Sequence, residues 1–213
     1  MKRKQKFYIG WGLLAAFVLW TVLVQVIDVQ AIGPNGSVVG FASMNGVVHE
    51  CFGVHMMLYL VTDWLSLIPL GFILGFALMG MVQWIQRKHI RKVDRSILLL
   101  GGLCVGVLAV FLFFELCEVN YRPVLINGVL EASYPSSTTM LVMCVIPVVM
   151  MQLCERMENS KRRQMILILL AAFAIFMVIA RLISGVHWLS DIIGGALLSG
   201  GLVMLYYAVC ESK

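Results

Sequence analysis

Six long apolar runs limit what this chain can fold into more than any other feature of its sequence. They cover residues 7–27, 64–85, 97–114, 139–153, 165–180 and 192–209. An α-helix needs about 20 apolar residues to cross the hydrocarbon core of a bilayer, and the shorter runs can extend into their polar flanks. We therefore predict an all-α, polytopic membrane protein with six transmembrane helices, which form a single membrane-embedded domain over residues 1–213.

The composition excludes several classes of soluble protein. Of the 213 residues, 61% are hydrophobic and 13% are charged, whereas a soluble domain carries about 25% charged residues because its surface faces water. So few charges are inconsistent with a soluble enzyme, a disordered regulator or a nucleic-acid-binding protein. The six cysteines show no metal-ligand spacing, so we expect neither a metal site nor a disulfide framework.

The positions of the basic residues predict the orientation of the chain. Lys and Arg cluster at residues 2–6, 87–95 and 156–163 and at Lys213, and an even number of spans brings all four groups to one side. Because positive charge is retained in the cytoplasm, both termini are predicted to be cytoplasmic. The net charge of +5 then reflects orientation and contact with anionic lipid headgroups, and it needs no nucleic acid partner. Such a chain is most consistent with a bacterial plasma membrane.

Two basic residues, Arg122 and Arg181, fall on the opposite, extracytoplasmic side. Membrane insertion gains nothing from a positive charge there, so these two arginines are the first candidates for function. The same topology brings three polar segments to this depth, namely residues 115–123, 134–139 and 181–191. We expect the three segments to form a site at the outer membrane interface.

The residue types in these segments indicate phosphoryl transfer. Two guanidinium groups can hold a phosphate through paired, charge-assisted hydrogen bonds. Ser136, Ser137 and Thr138 lie at a predicted helix start, where hydroxyls and unpaired N–H groups attract an anion. His187 and Asp191 are four residues apart, so the carboxylate can orient one imidazole nitrogen and leave the other as a nucleophile.

The motifs in these segments resemble those of a known family. Residues 181–191 contain Arg, five residues, His, three residues and Asp, a pattern similar to the third signature motif of the type-2 phosphatidic acid phosphatases. These enzymes are the membrane branch of the superfamily shared with vanadium haloperoxidases. Pro135-Ser136 is similar to the start of the second motif, Pro-Ser-Gly-His, and Arg122-Pro123 to the end of the first, Lys-(six residues)-Arg-Pro. Six helices with the motifs outside also resemble this family.

The resemblance implies a role for each site residue and a class of substrate. His187 would be the nucleophile that forms a phosphohistidine, and Asp191 would orient it. The phosphate ligands would be Arg122, Arg181 and Ser136, with Ser137 as a further candidate at the same helix start. The family needs no metal and no cofactor. Its substrates are phosphorylated lipids of the bilayer, such as phosphatidic acid, phosphatidylglycerol phosphate or polyprenyl diphosphates, and the active site would face the extracytoplasmic side.

Two positions depart from the family's pattern. Glu115 stands where the first motif has Lys, nearly two helical turns before Arg122, and it is expected to lie beneath that arginine. Thr138 stands where the second motif has His, the proton donor to the leaving group. A threonine hydroxyl is too weak an acid to replace an imidazolium, so the loss should be severe for an alkoxide leaving group.

Three explanations of these departures remain open. The substrate can be a diphosphate, with polyprenyl diphosphate favoured, because its leaving phosphate is stable without protonation. Glu115, or Glu118 one turn away, can be protonated in a low-dielectric site and act as the acid. The chain can also be a catalytically impaired relative that binds phospholipid headgroups without turnover. A small transporter is an alternative of another class, although transporters usually hold their polar residues at the membrane midplane.

Other features are expected to be structural. Residues 28–55 are predicted to form a long outer loop, and Asp63 to be a favourable acid at a helix start with no further role. Three aromatic residues fit a belt at the membrane interface at least as well as a contact with substrate, namely Tyr121, Tyr134 and Trp188. Small residues in the last span are expected to let other helices approach closely, namely Gly194, Gly195, Gly200 and Gly201.

Overall fold

Helices account for most of the chain in the computed structural model, which describes residues 1–211. In the described part they are α1 (Arg3–Val26), α2 (Ala42–Phe52), α3 (Met56–Leu65), α4 (Leu67–Arg87), α5 (Arg95–Leu116), α6 (Ser137–Arg156), α7 (Lys161–Ile183) and α8 (Leu189–Cys210). Lys213, one of the basic residues used to predict orientation, lies outside the described residues. Six stretches are long and apolar enough to cross a membrane, with α3 and α4 together forming one of them. The predicted all-α fold with six membrane-spanning helices is confirmed.

The segment predicted as a long outer loop contains a helix, so that prediction is wrong for α2. This helix holds Asn45, His49 and Glu50, and these polar residues hide it from a search for long apolar runs. The second span also begins earlier than predicted, at Met56, and it breaks between α3 and α4. Pro69, in the first turn of α4, explains the break because it has no N–H to donate to the carbonyl of residue 65 and its ring crowds that carbonyl.

Two of the spans, α6 and α8, form the interior of the bundle. In their most apolar stretches 56% and 50% of the residues are buried, compared with 17–22% in the other four spans. The outer spans therefore present apolar side chains to lipid on one face and pack on α6 or α8 with the other. We name the end of the bundle at which Arg3 contacts the Ala208 carbonyl the terminal end, and the opposite end, which carries α2 and α3, the site end.

Glycines allow close packing around α8, as predicted. A Cβ atom added at Gly201 would lie 2.8 Å from Leu14, and one added at Gly194 would lie 2.6 Å from the Tyr134 ring. The Tyr134 ring is stacked on Phe17 and meets Phe114 edge-on. The glycines thus bring α1 and the segment before α6 against α8, which carries one of the predicted site residues.

Two of the three aromatic residues assigned to an interfacial belt are interior instead. Tyr134 and Trp188 are only 2% and 3% exposed. The Tyr134 hydroxyl shares a 2.7 Å hydrogen bond with Thr21 Oγ1, and Trp188 Nε1 donates to the Tyr121 carbonyl oxygen at 2.7 Å. An internal partner for the polar group of each ring removes the need for interfacial water, which is why a belt position is unnecessary.

A polar cluster fixes the terminal end of the bundle. Asp94, just before α5, accepts hydrogen bonds from Gln83 at 2.8 Å, Arg87 at 2.9 Å and Arg156 at 3.1 Å. The Gln83 hydrogen bond, together with the two arginines, lowers the pKa of Asp94 to about 2. The cluster therefore joins α4, α5 and α6 through a carboxylate that stays ionised.

The packing of α8 predicts opposite effects of the same substitution at two helical glycines. Gly194→Ala forces a methyl group into the enclosed Tyr134 ring, and overpacking of this kind costs about 1–3 kcal/mol. Gly102→Ala in α5 meets no atom within 4 Å, so it should gain up to about 1 kcal/mol from helix propensity. We expect thermal unfolding in detergent to show a Tm lower by roughly 2–8 °C for Gly194→Ala. An unchanged or higher Tm for that variant would contradict the packing described here.

Candidate active site

The turn between α7 and α8 is locked against the α2–α3 connection, and this places His187. Gly185 has a φ of +69°, and a Cβ atom there would lie 2.1 Å from the Gly53 carbonyl oxygen. The next contact is a hydrogen bond from the His55 backbone N–H to the Ser184 carbonyl oxygen at 3.0 Å. Only glycine permits both the left-handed backbone and this close approach, so the turn holds the His187 ring in one buried position.

The His187 ring lies between a guanidinium and a carboxylate. Its Nε2 atom is 3.3 Å from Nη1 of Arg122, and its Nδ1 atom is 3.6 Å from Oδ2 of Asp191. Because a guanidinium only donates hydrogen bonds, Nε2 must be the acceptor and Nδ1 must carry the proton. That proton faces the Asp191 carboxylate, at a distance slightly longer than an ordinary hydrogen bond.

Burial and neighbouring charges keep the His187 imidazole neutral. Burial lowers its pKa to about 4, the Asp191 carboxylate opposes this shift, and the positive charges of Arg122 and Arg181 add to it. The ring is 3% exposed. A neutral imidazole with its proton on the side of the carboxylate has a free electron pair on Nε2, which is the state that a nitrogen nucleophile requires.

Arg122 is presented by a small hairpin between α5 and α6. Tyr121 pairs with Ala132, and the chain reverses at Asn127 and Gly128, where φ is +52° and +80°. Positive φ at both central residues is typical of a type I′ turn, for which Asn-Gly is the favoured sequence. The Asn127-Gly128 pair is a sequence signal for this hairpin, which the predictions above did not include. The hairpin brings the Glu131 carboxylate to 3.0 Å from Nε of Arg122.

Arg181 is held by α3 in the last turn of α7. Its Nη1 atom donates to Thr62 Oγ1 at 3.0 Å, its Nη2 atom is 3.7 Å from Oδ1 of Asp63, and its guanidinium stacks over the Tyr59 ring at 4.6 Å. Asp63 is the ion-pair partner of Arg181, and it lies in the last turn of α3, not at a helix start as predicted. Sequence distance hides this contact because Thr62 and Arg181 are 119 residues apart.

Ser136 joins the start of α6 to the start of α8. Its hydroxyl accepts from the Thr139 N–H at 3.5 Å and from Thr139 Oγ1 at 3.1 Å, and its backbone N–H donates to the Asp191 carbonyl oxygen at 3.2 Å. Ser137 instead lines an apolar cavity of about 500 Å³ between α4, α5 and α6. Thr138 is buried. In the described part of the chain, no hydrogen bond links Ser137 or Thr138 to His187 or to either arginine.

The structure does not bring Glu115 or Glu118 to Arg122. Both are exposed, and Glu118 accepts a hydrogen bond from the Tyr121 hydroxyl. The expectation that Glu115 lies beneath Arg122 assumed a continuous helix, but α5 ends at Leu116. The spacing of two helical turns therefore does not apply. The carboxylate that contacts Arg122 is that of Glu131, which no motif indicated.

A buried polar network behind the site was also not predicted from the sequence. It consists of Asn45 from α2, Asn120 from the segment before the hairpin, and Ser190 and Asp191 from α8, all at most 1% exposed. Single Asn and Ser residues in apolar surroundings carry no spacing signal. Among residues 1–211, no group of three or more His, Cys, Asp or Glu is arranged to hold a metal ion. The structure places an oriented imidazole against the Arg122 guanidinium, and Arg181 is near enough for its charge to lower the pKa of His187.

Comparison with known proteins gives a consistent result. The family model described as the PAP2 superfamily matches residues 96–212, which contain Arg122, Ser136, Arg181, His187 and Asp191. A solved transmembrane PAP2-type phosphatidylglycerolphosphate phosphatase from Bacillus subtilis has a similar fold, with a TM-score of 0.62 and 22% sequence identity over 95% of this chain and 96% of that one. Comparison with curated protein sequences gives no match.

The surroundings of His187 predict opposite pKa shifts for two substitutions. Removing the Arg122 charge by Arg122→Gln should raise the pKa of His187, whereas Asp191→Asn should lower it further, because the carboxylate stabilises the protonated ring. NMR titration of histidine-labelled protein in detergent micelles measures both shifts. His89→Gln, at the terminal end, serves as control and should leave the His187 signal unchanged. A lower pKa in Arg122→Gln would contradict the geometry.

Proposed function

This chain belongs to the PAP2 superfamily of type-2 phosphatidic acid phosphatases, and we propose on that basis that it is a membrane lipid phosphatase. It would hydrolyse a phosphoric ester or diphosphate. The observation that carries the proposal is the position of His187, whose Nε2 atom faces Arg122 and whose Nδ1 atom faces Asp191. The arrangement supplies a neutral nucleophile next to a phosphate-binding group.

The proposed reaction has two steps. Nε2 of His187 attacks the terminal phosphorus, the bond from phosphorus to the leaving oxygen breaks, and a phosphohistidine forms. Arg122 must first exchange its contact with Nε2 for the phosphoryl oxygens, which Arg181 and the Ser136 hydroxyl also bind. The Asp191 carboxylate stabilises the positive charge that develops on the ring. Water then hydrolyses the phosphohistidine and frees the imidazole.

The surroundings of Thr138 favour a diphosphate substrate. In the hydrolysis of a lipid phosphate monoester, the lipid alcohol leaves as an alkoxide and needs a proton donor. Such a donor contributes about 10²- to 10⁴-fold to the rate. Thr138 cannot supply it, and neither Glu115 nor Glu118 contacts the site. In the hydrolysis of a polyprenyl diphosphate, the leaving group is the polyprenyl monophosphate, which is stable without a proton. We therefore propose a polyprenyl diphosphate as substrate. The Bacillus subtilis protein of similar fold is described as a phosphatidylglycerolphosphate phosphatase.

The carboxylates beside both arginines support a second candidate function. Glu131 contacts Arg122 at 3.0 Å and Asp63 contacts Arg181 at 3.7 Å, so each phosphate ligand is partly neutralised. A headgroup-binding protein without turnover would tolerate this weaker field, and it would also tolerate the loss of the motif histidine at Thr138. A small transporter is disfavoured because the polar residues cluster at one end of the bundle.

The proposed location is the plasma membrane, with the site on the extracytoplasmic side. Support comes from the basic residues at the terminal end, where the α4–α5 and α6–α7 connections carry Arg87, Lys88, Arg91, Lys92, Arg95, Arg156, Lys161, Arg162 and Arg163. Positive residues are retained in the cytoplasm. The two arginines at the site end are buried and have acidic neighbours, so they add little to the orientation signal.

Phosphate release by purified protein tests the proposed function. We expect release from a polyprenyl diphosphate, at least about 100-fold slower release from phosphatidic acid because no acid protonates its leaving group, and no release by His187→Ala. His89→Ala, at the terminal end, is the matched control and should retain full activity. Release from neither lipid would support the headgroup-binding alternative. Activity that survives in His187→Ala would refute the assigned nucleophile.

The Thr62 and Asp63 contacts of Arg181 should contribute unequally to phosphate binding. Thr62 is fully buried, and Thr62→Val removes its 3.0 Å hydrogen bond to Nη1, which keeps only the longer 3.4 Å bond to the Tyr59 carbonyl oxygen. Loss of a hydrogen bond to a charged group costs about 1.5–3 kcal/mol. We expect inorganic phosphate to bind about 10-fold more weakly. The Asp63 side chain is 59% exposed, so its ion pair is worth little.

Asp63→Asn is therefore the comparison variant, and it should change phosphate affinity by less than about 3-fold. Weaker positioning of Arg181 and removal of a negative charge act in opposite directions in this variant. Calorimetric titration of inorganic phosphate measures both effects. A larger loss of affinity in Asp63→Asn than in Thr62→Val would contradict the assignment of Thr62 as the main support of Arg181.

A further inference from the structure

Asn120 lies behind the candidate site and has no exposed surface. Its Nδ2 atom donates to Oδ1 of Asp191 and to Oγ of Ser190, both at 3.2 Å. Its Oδ1 atom accepts from the Gly40 backbone N–H, also at 3.2 Å. Because a backbone N–H can only donate, the oxygen of the amide must face Gly40, and the N–H₂ group must face Asp191. The orientation of the amide is thus fixed by its partners.

The Asn120 backbone is fixed as firmly as its side chain. Its carbonyl oxygen accepts from the N–H of Ser133 at 2.9 Å and from the Ser133 hydroxyl at 3.1 Å. Ser190, the second partner of the amide, is itself held by Asn45, whose Nδ2 atom donates to Ser190 Oγ at 2.9 Å. These hydrogen bonds fix both the backbone and the side chain of Asn120, so its N–H₂ group has one position. The Asp191 carboxylate therefore aligns with the N–H₂ group.

The two oxygens of Asp191 therefore have separate partners. Oδ1 is bound by Asn120, whereas Oδ2 accepts from the Trp188 N–H at 3.0 Å and faces Nδ1 of His187 at 3.6 Å. If the Asn120 amide were absent, Oδ1 would be a buried carboxylate oxygen without a donor, and the carboxylate could rotate away from the imidazole.

We propose that Asn120 is a positioning residue, which holds the Asp191 carboxylate so that Oδ2 faces the proton on Nδ1 of His187. The proposal rests on the proposed function, because the role of this alignment is to keep Nε2 as the nucleophile. Supporting residues of this kind typically change the function of the group they orient by about 10- to 100-fold.

Asn120→Asp provides a pH-dependent test because it preserves shape and changes only the donor. When protonated, the introduced carboxyl group can donate to Oδ1 of Asp191 as the amide does. When ionised, it cannot donate, and it repels Asp191 at hydrogen-bonding distance. The titratable and charged groups near it are Asp191, which it contacts, His187 and Tyr134, which interact with Asp191, and Arg122, which contacts His187. Burial and the Asp191 charge raise the pKa of the introduced group above the ordinary value of about 4.

The pH range for this test is open because His187 itself stays neutral. Its pKa is about 4, so at pH 5 wild-type protein still has the neutral ring that attack requires. Asn120→Asp should therefore have near wild-type kcat at pH 5 and lose about 10- to 100-fold by pH 8. The KM should change by less than about 3-fold, because no phosphate ligand is altered.

Two control variants separate positioning from structural damage. Gln152→Ala removes a buried hydrogen bond to the Tyr206 hydroxyl at the terminal end of the bundle, so it should lower the Tm and keep the wild-type pH profile of kcat. Asn159→Asp makes the same isosteric change at an exposed site in the α6–α7 connection and should behave as wild type. A pH profile of kcat in Asn120→Asp that parallels wild type would overturn the proposal, and so would a loss confined to KM.

Two further measurements keep the test decisive. If Asn120→Asp does not fold, Asn120→Ala removes the donor without adding charge, and an unchanged kcat in that variant would overturn the proposal. If wild-type protein releases no phosphate from any lipid, the proposed function fails, and NMR titration then tests the positioning contact alone. Asn120→Ala should lower the pKa of His187 relative to wild type, because the Asp191 carboxylate is then free to turn away from the protonated ring, and an unchanged pKa would overturn the proposal.

Discussion

Burial of charge at one end of an apolar bundle is the constraint on which the rest of this structure depends. Arg181 and Asp191 are at most 2% exposed, and a buried charge without a partner costs several kcal/mol. Each therefore has a partner from another part of the chain. Arg181 requires α3, the Asp191 carboxylate requires Asn120 and the start of α8, and Arg122 requires the hairpin with Glu131. The elements and connections at the site end supply these partners.

The inner helices supply the second part of the arrangement. Both α6 and α8 begin at the site end, and the Ser136 N–H joins them by donating to the Asp191 carbonyl oxygen. Helix starts present unpaired N–H groups and the positive end of the helix dipole, both of which favour an anion. The close approach that Gly194 permits keeps the two helix starts adjacent. The absence of a side chain at Gly194 thus contributes to the geometry of the candidate site.

The departures from the family's motifs acquire a different meaning once the partners are known. Glu115 is exposed and does not weaken the site, whereas Glu131 and Asp63 contact the two arginines directly. The positive charge of the two motif arginines is therefore partly neutralised by residues outside the motifs. With Thr138 in place of the proton donor, the proposed reaction depends on a leaving group that is stable without a proton.

The sequence by itself determined the features that depend on local composition and short spacing. Runs of apolar residues predict six spans because a helix satisfies all the backbone hydrogen bonds of a segment within lipid. The four-residue spacing of His187 and Asp191 predicts their contact because both residues lie at or just before the start of α8. Only the tertiary structure decided which residues support them. Thr62 and Arg181 are 119 residues apart, and Gly40 and Asn120 are 80 apart. Such contacts follow from how the bundle closes, and no local pattern encodes that closure. The same reason explains why α2, too polar to span, and Glu115, beyond which the helix stops, were both misplaced from sequence.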